Sequence, residues 1–444
     1  MSAHPLLPVP GQARRVAVIG AGAAGLCAAK HLLSIGAEVT VYEMGSQVGG
    51  LWVYENDNGI SAAYASLHLN SENRVTAYAD FPFPADAPLY PDHKQVYSYL
   101  AAYAHFFGVM PHIRFGVKVQ QVQAQGTQWR VTLADGSDKV FDAVVVGSGH
   151  QNRPAHPEWR SQFSGEYLHS HSYRVPEPFR DKRVLVVGMG NSAVDIAADI
   201  CTITRSTVLS ARSPVLVMPR MLFGVPTSRV LGRLEKPWMP WPLRRFMRQT
   251  LTRVVHGRME QWGFVTPQTR THPTSHPSLM AHFMWDRIRA RPGIRSVQGL
   301  EVEFSDGHVE VFDTIIAGTG YHVDLPFLAP ELKPFRGHQL DLFLRVVHPR
   351  HQGLYFIGMF NVAGGGNIRM MDDQAQWITE LVAETQVLPS EPRMRQVMAQ
   401  EQDYLRRNYP QSARYALELD PAFYRQQLQR QRRAGQHLQQ AAQS

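Results

Sequence analysis

Two glycine clusters, each between an apolar run and an alanine-rich run, lie 168 residues apart in a chain of 444 residues. The first reads Val16-Ala17-Val18-Ile19-Gly20-Ala21-Gly22-Ala23-Ala24-Gly25. The second reads Val184-Leu185-Val186-Val187-Gly188-Met189-Gly190-Asn191-Ser192-Ala193. This is the spacing of a strand-to-helix turn that receives a pyrophosphate. The first glycine permits the tight turn, the second lets the backbone approach the phosphates, and the third brings helix and strand together. Free N–H groups and the dipole at the start of the following helix favour the anion. Two such turns in one chain point to two dinucleotides held together, and so to electron transfer between them.

The residues downstream of each turn distinguish the two. After the first, the strand Glu38-Val39-Thr40-Val41-Tyr42 leads to Glu43. An acid about 20 residues beyond the glycines suits an unphosphorylated ribose. Gly20, Gly22, Gly25 and Glu43 therefore predict FAD or NAD. After the second, Ser206-Thr207-Val208-Leu209-Ser210 leads to Ala211-Arg212. A guanidinium there suits a ribose 2′-phosphate. Gly188, Gly190, Asn191, Ser192 and Arg212 predict NADPH, with Ala193 a small change at the packing position.

These motifs must be positioned by a chain long enough for two or three domains. An apolar content of 44% supplies ample core. No apolar run reaches the roughly 18 residues of a membrane span, and Met1 to Arg15 has no hydrophobic signal region. Only two cysteines occur, Cys27 and Cys201, without a Cys-x-x-Cys pair. Both predict small buried side chains in a reducing cytoplasm. His68, His272, His276 and His282 lack metal-site spacing, so no metal is expected. The net charge of +8 is uneven, for residues 201–300 hold 16 Lys and Arg against 3 Asp and Glu. Part of that excess should attract the anionic NADPH. Trp238 to Trp262, with Arg244, Arg245, Arg248, Arg253 and Arg258, suits a basic helix. A solvated helix covering the site is preferred over one at a membrane surface. Nothing suggests nucleic-acid binding.

An internal echo locates the domains. Asp135-Gly136 precedes Phe141-Asp142-Ala143-Val144-Val145-Val146-Gly147, and Asp306-Gly307 precedes Phe312-Asp313-Thr314-Ile315-Ile316-Ala317-Gly318 at the same spacing. Each is a hairpin turn, a buried strand and a glycine turn, the end of a nucleotide-binding unit. The predicted fold is α/β, with two three-layer Rossmann-like dinucleotide-binding domains, the NADPH domain inserted into the first, which takes FAD or NAD (FAD by the family resemblance that follows). Residues 1–152 form the first part of the FAD domain and 153–183 a linker. Residues 184–321 form the NADPH domain, including a basic helical insertion at about 219–290. Residues 322–428 return to the FAD domain, through a strand at Gly353–Gly358, a Gly364-Gly365-Gly366 loop and a helix from Asp372 to Leu381. Residues 429–444 form a polar, frayed tail.

At this point the sequence resembles the class B flavin-containing monooxygenases. Their fingerprint, Phe-x-Gly-x-x-x-His-x-x-x-Tyr/Phe, stands here between the two nucleotide motifs as Phe163, Gly165, His169 and Tyr173. Gly49-Gly50-Leu51-Trp52 resembles the family's flavin-contacting turn, and Asp80-Phe81-Pro82-Phe83-Pro84 matches a family segment. Ala317-Gly318-Thr319-Gly320-Tyr321 and Ala416-Leu417-Glu418-Leu419-Asp420 are similar to later ones. By this resemblance Gly50, Leu51, Trp52 and Gln374 are cofactor-binding residues. Asn70 falls on the active-site asparagine, although many relatives carry lysine where Asn73 stands.

The resemblance implies bound FAD reduced by NADPH, oxygen activation as a C4a-hydroperoxyflavin, and transfer of one oxygen atom to a nitrogen or sulfur nucleophile. Asn70 would donate a hydrogen bond near the peroxide, and His169 and Tyr173 would couple cofactor position to domain arrangement. It also implies a bacterial-type member that acts on small molecules with dioxygen. The Gln- and Arg-rich tail, where membrane-bound animal members carry a hydrophobic segment, predicts a soluble protein. The cysteine usage predicts a cytoplasmic one, and a homodimer is an open alternative. Ketone-oxygenating relatives usually carry Trp at the last fingerprint position, followed by Pro or Asp. Tyr173-Arg174 here favours heteroatom oxygenation. Baeyer–Villiger chemistry, oxidative decarboxylation of a 2-oxo acid, and a non-catalytic redox sensor remain as alternatives.

Overall fold

The valine-rich runs before the glycines are too short for helices, and each becomes an inner strand of a parallel sheet. A computed structural model describes residues 13–443, apart from residues 237, 337–338, 363–365 and 411–412. Most of the N-terminal segment, and Gly364 and Gly365 of the expected loop, thus lie outside the described residues. In chain order, β1 (Arg15–Ile19), β2 (Glu38–Tyr42), β3 (Ile113–Arg114) and β4 (Ala143–Val146) start the first sheet. The second sheet takes β5 (Glu166–His169), β6 (Arg183–Val187), β7 (Ser206–Ala211), β8 (Ile288–Pro292) and β9 (Thr314–Ala317). Then β10 (Leu354–Phe356) returns to the first.

The sheet orders are β3-β2-β1-β4-β10 and β8-β7-β6-β9-β5. All neighbours are parallel. Both follow the Rossmann order, in which the fingerprint strand lies where the strand order reverses. Ligands bind there, at the carboxyl ends. Every strand of the second sheet lies between β4 and β10 in sequence. The hairpins expected before β4 and β9 are present as two three-stranded antiparallel sheets. Their turns use Gly136 and Gly307 at φ of 84° and 85°, a region that glycine enters without steric cost.

The two fingerprints reach close helix–strand packing differently. A Cβ on Gly25, in α1 (Ala23–Ser34), would lie 1.8 Å from the Gly20 carbonyl oxygen. In α2 (Asn191–Ile200), Ala193 carries a real methyl. The room for it comes from the neighbouring strand end, where a Cβ on Gly318 would lie 2.6 Å from the Ala193 Cβ.

Four elements depart from the sequence reading. The fingerprint segment is more than a linker, because its Glu166–His169 stretch pairs with Thr314–Ala317 as the edge strand of the second sheet. The basic insertion is only partly helical. It holds a short hairpin (Met221–Leu222 with Val225–Pro226), α3 (Thr227–Leu234), α4 (Trp241–His256), a short helix at Leu279–Met284 and long irregular stretches, and it ends before β8. Within α4 the expected polarity is partly inverted: Arg244 and Thr252 are buried, whereas Leu243, Phe246, Val254 and Val255 are exposed. Ion pairs account for the inward-facing arginines, since Arg244 meets Asp420 at 2.8 Å and Arg248 meets Glu235 at 2.5 Å.

The late helix α5 (Asn367–Val382) begins earlier than expected and packs on α1, joined by a 2.7 Å contact between His31 Nε2 and Asp372. The tail is not frayed: Pro421–Gln443 forms one helix, α6. Arg432 pairs with Glu380 of α5, and Gly435 lies against the Val387 carbonyl. Composition misled here because the polar stretch continues a helix already anchored in the core by Tyr424 and Leu428, and Arg432 then pairs with Glu380. Cys27 and Cys201 are buried and unbridged.

The contrast between the glycines is directly testable. Gly25→Ala should cost at least about 3 kcal/mol, because backbone must move to admit the methyl. Gly190→Ala, where no atom of the described residues lies within 4 Å, should keep stability within about 1 kcal/mol yet weaken NADP+ binding. Chemical denaturation and calorimetric titration check both outcomes.

Candidate functional site

Both nucleotide turns expose bare backbone. Neither α1 nor α2 has a side-chain cap at its start, and neither has an acid in its first turn. Their leading N–H groups are therefore available to an anion. Beside Gly22, among the described residues, only the Gly50 backbone approaches, at 3.6 Å from a built Cβ. The first turn thus faces the Gly50–Trp52 turn, which carries Leu51 and Trp52 and follows Gly49 at φ 116°. The Ser148 hydroxyl is buried without a hydrogen-bond partner among the described residues, and the Ser148 Cα lies 3.2 Å from where a Gly20 Cβ would sit. Such an orphaned group calls for a partner.

Glu43 is buried at the end of β2. Its Oε2 accepts from the Ala21 N–H at 2.8 Å. Its Oε1 accepts from the Gly45 N–H at 2.8 Å and from Asn58 Nδ2 at 3.2 Å. A carboxylate offers about four acceptor positions, so capacity remains for a ribose hydroxyl. These residues fit an FAD adenosine and pyrophosphate. Gln374 is fully buried. Its Oε1 accepts from the Gly358 N–H at 3.0 Å and its Nε2 donates to Tyr424 at 2.7 Å. It holds the Gly358 turn in place, and both ends of its amide are already engaged by protein.

At the second turn, Asn191 Oδ1 accepts from the Ser275 N–H at 3.4 Å. Ser192 is exposed. Arg212 is exposed just beyond β7, stacked beside Gly293, with no hydrogen bond or ion pair among the described residues. An unengaged guanidinium at this strand end fits a 2′-phosphate.

Asn70 sits on an exposed loop, and its Oδ1 accepts from Arg220 Nη2 at 3.1 Å. The same nitrogen donates to the Ser275 carbonyl at 2.9 Å. Contacts therefore run Asn70–Arg220–Ser275–Asn191, from the first unit to the second nucleotide turn. Glu72, buried on the same loop, is paired with Arg229 of α3. Asn73 is turned away, donating to the Pro88 carbonyl at 2.9 Å. Arg220, Ser275 and Arg229 escaped the sequence reading. Only the general excess of arginine signals them.

The family-type fingerprint acts as a joint. Gly165 has no room for a side chain, since a Cβ would lie 2.6 Å from the Phe163 ring and 2.7 Å from the Asp313 carbonyl. Tyr173 is buried and donates to Asp199 Oδ2 at 2.5 Å, and Ser66 donates to the same oxygen at 2.8 Å. One turn earlier on α2, Asp195 accepts from Tyr64 at 2.7 Å. The two carboxylates, four residues apart, share one face of the helix and hold residues 64–66 of the first unit. Burial raises Asp195 to about 6, against the opposing pull of the Tyr64 hydrogen bond and of Arg220. Burial, then Arg220 and His282, lowers the neighbouring His276 to about 3.

His169 closes β5. Its Nδ1 accepts from the His171 N–H at 3.1 Å, so the proton sits on Nε2. Burial, then His156 and His171, lowers it to about 4, and it is neutral at physiological pH. Among the described residues no group of His, Cys, Asp and Glu could hold a metal, and no helix is long and apolar enough to cross a membrane.

Comparison with known proteins covers nearly the whole chain. A family model described as flavin-binding monooxygenase-like matches residues 13–435. Flavin-containing monooxygenase 3 of Rattus norvegicus is 30% identical over 403 residues, spanning 85% of this chain and 75% of that protein. The structure of S-allyl-L-cysteine S-oxygenase from Allium sativum superposes with a TM-score of 0.71 at 24% identity, over 95% of this chain and 88% of that one. Cyclohexanone monooxygenase from Rhodococcus sp. Phi1 bound to NADP+ gives 0.69 at 16% identity, over 94% and 97%.

The lowered His169 has a pH consequence. Its folded value of about 4 lies below the ordinary 6.5. Its contribution is therefore full above pH 6.5 and is lost as pH falls toward 4. Between pH 7.5 and pH 5 that loss is roughly 2 kcal/mol. His169→Gln, which retains an acceptor, should flatten the stability difference between those pH values by about that amount. Denaturant titrations at both pH values measure it, and an unchanged difference would refute the assignment.

Proposed function

The chain belongs to the flavin-binding monooxygenase-like family, and on that premise we propose that it transfers one oxygen atom of dioxygen to a nitrogen or sulfur nucleophile of a small molecule. It is a flavin monooxygenase, and its cofactors are FAD and NADPH. Bound FAD, reduced by NADPH, supplies the activation of dioxygen.

The chain's own residues bind and orient. In this reading Gly20, Gly22 and Gly25 with the start of α1 hold the FAD pyrophosphate, and Glu43 holds its ribose. Gly50, Leu51 and Trp52 wall the flavin side, while Gln374 fixes the Gly358 turn beside it. Gly188, Gly190, Asn191 and Ser192 hold the NADPH pyrophosphate, and Arg212 takes the 2′-phosphate. Asn70 Nδ2 donates a prepositioned hydrogen bond where oxygen is transferred. Phe163, Gly165, His169 and Tyr173 keep the two units in register. Soft nucleophiles need no side-chain nucleophile, acid or metal at this centre.

The observation that carries the reading is the contact chain from Asn70 through Arg220 and Ser275 to Asn191, which ties an amide donor of the first unit to the second nucleotide turn. Tyr173-Arg174 at the fingerprint's end supports heteroatom over ketone oxygenation. A panel of amines and sulfides, with cyclohexanone and indole pyruvate as comparators, tests it by substrate-dependent NADPH oxidation and product mass. N-oxide or sulfoxide is expected. Lactone or carbon dioxide as the main product would overturn it.

Two variants probe the site. Arg212→Ala should raise the NADPH Michaelis constant by roughly ten-fold, since a charged phosphate contact contributes about 1.5–3 kcal/mol. NADH kinetics should stay nearly constant, and equal losses with both would make Arg212 a fold residue. Asn70→Ala should leave FAD binding and anaerobic reduction by NADPH intact. Oxygenation should fall by up to about 10²-fold, with NADPH consumption diverted to hydrogen peroxide. Stopped-flow absorbance and peroxide assay read the two phases.

A further inference from the structure

An asparagine amide has nearly the same shape in either orientation, so shape alone does not decide whether it presents N–H or C=O to a ligand. At Asn70 the decision falls to its neighbour. Arg220 carries five N–H donors and no acceptor, and its Nη2 lies 3.1 Å from Asn70 Oδ1. A donor-only partner holds the oxygen toward itself and turns Nδ2 away from itself. No hydrogen bond engages that Nδ2 among the described residues. We propose that Arg220 is a positioning residue that locks the Asn70 carboxamide with its N–H toward the oxygen-transfer site, and that the wall of the second nucleotide turn holds Arg220 in place. The inference rests on the reading of Asn70 given above.

Arg220 is fixed on several sides. Its Nη2 also donates to the Ser275 carbonyl at 2.9 Å, and its guanidinium lies 5.1 Å from the centre of the Tyr90 ring. The Arg220 carbonyl accepts from the Thr227 N–H at 3.0 Å, which anchors its backbone to the start of α3. Asp195 of α2 supplies a nearby negative charge that favours the half-buried cation. Ser275 in turn meets Asn191, next to Gly190. The donor on the first unit is therefore set by a side chain of the second, which is itself held by Ser275 of the second unit and Tyr90 of the first. A lysine could keep both the charge and the donor-only character. A glutamine of similar reach offers donor and acceptor alike and would let the Asn70 amide turn over.

The test compares Arg220→Gln, Arg220→Lys, Asn70→Ala and the Arg220→Gln/Asn70→Ala double variant as FAD-bound proteins. One readout is the fraction of consumed NADPH that appears as hydrogen peroxide. Arg220→Gln should raise it about as far as Asn70→Ala, the double variant should add less than about two-fold, and Arg220→Lys should stay near wild type. The other readout needs no turnover. It is the side-chain amide resonance pair of Asn70 in oxidised, asparagine-labelled protein, assigned by its loss in Asn70→Ala. One sharp pair is expected in wild type and in Arg220→Lys, and a shifted or doubled pair in Arg220→Gln. If the glutamine variant does not fold, the lysine variant decides, and a doubled pair there overturns the proposal. Peroxide release unchanged in Arg220→Gln but raised in Asn70→Ala would refute the role of Arg220 alone. Peroxide release unchanged in Asn70→Ala would refute the reading of Asn70 itself.

Discussion

Everything in this molecule depends on how closely backbone can approach backbone at two strand-to-helix turns. A phosphate chain can be held by peptide N–H groups only if no side chain stands between them. The first turn achieves this at the limit of packing, with α1 pressed so near the Gly20 carbonyl that a Cβ on Gly25 would overlap it at 1.8 Å. That contact sets the position of the helix N-terminus, the direction of its N–H groups, and the reach from β2 that brings Glu43 under the turn. The Gly50–Trp52 turn closes on the opposite side.

The second turn solves the same problem with a different distribution of space. Ala193 replaces the packing glycine, and Gly318 at the end of the adjoining strand yields the volume. The exchange shows that the requirement belongs to the pair of elements and not to a single position. It also couples the turn to the segment Gly318–Tyr321, whose Tyr321 ring meets His169 edge-on at 5.3 Å. The fingerprint histidine is thereby tied to the loop that makes room for the nucleotide helix. The arrangement of the two units is carried by a few buried polar pairs around α2: Tyr64 with Asp195, and Ser66 and Tyr173 with Asp199.

Local patterns made much of this legible in the sequence. The glycine spacings, the strands beside them, the acid at Glu43, the arginine at Arg212 and the repeated hairpin–strand–glycine unit are all set by neighbours in the chain, and the structure has each element where the pattern put it. What escaped depends on partners far away in sequence. Glu166–His169 is polar and pairs on one side only, so it lacks the apolar run of an inner strand. The helix after Leu428 is Gln- and Arg-rich and acquires its fixed position through Arg432 and Glu380. Arg220 lies 150 residues from Asn70, and no periodicity links them. The inverted face of α4 likewise depends on Asp420, at the far end of the chain.

That last dependence sets an order of assembly. The second sheet is built from one contiguous stretch, Glu166 to Ala317, and can form as soon as that stretch leaves the ribosome. The first sheet waits for Leu354–Phe356 to take its edge beside β4. The insertion waits longer still. Arg244 and Arg270 need Asp420, His272 needs Glu418, and Arg345 must grip the carbonyls of Leu417 and Glu418 to hold that segment. Domains generally fold as units while synthesis proceeds from the N-terminus. Here the unit begun first is finished last, and a nascent chain stalled short of Glu418 would carry a complete second nucleotide turn beneath an unfastened insertion.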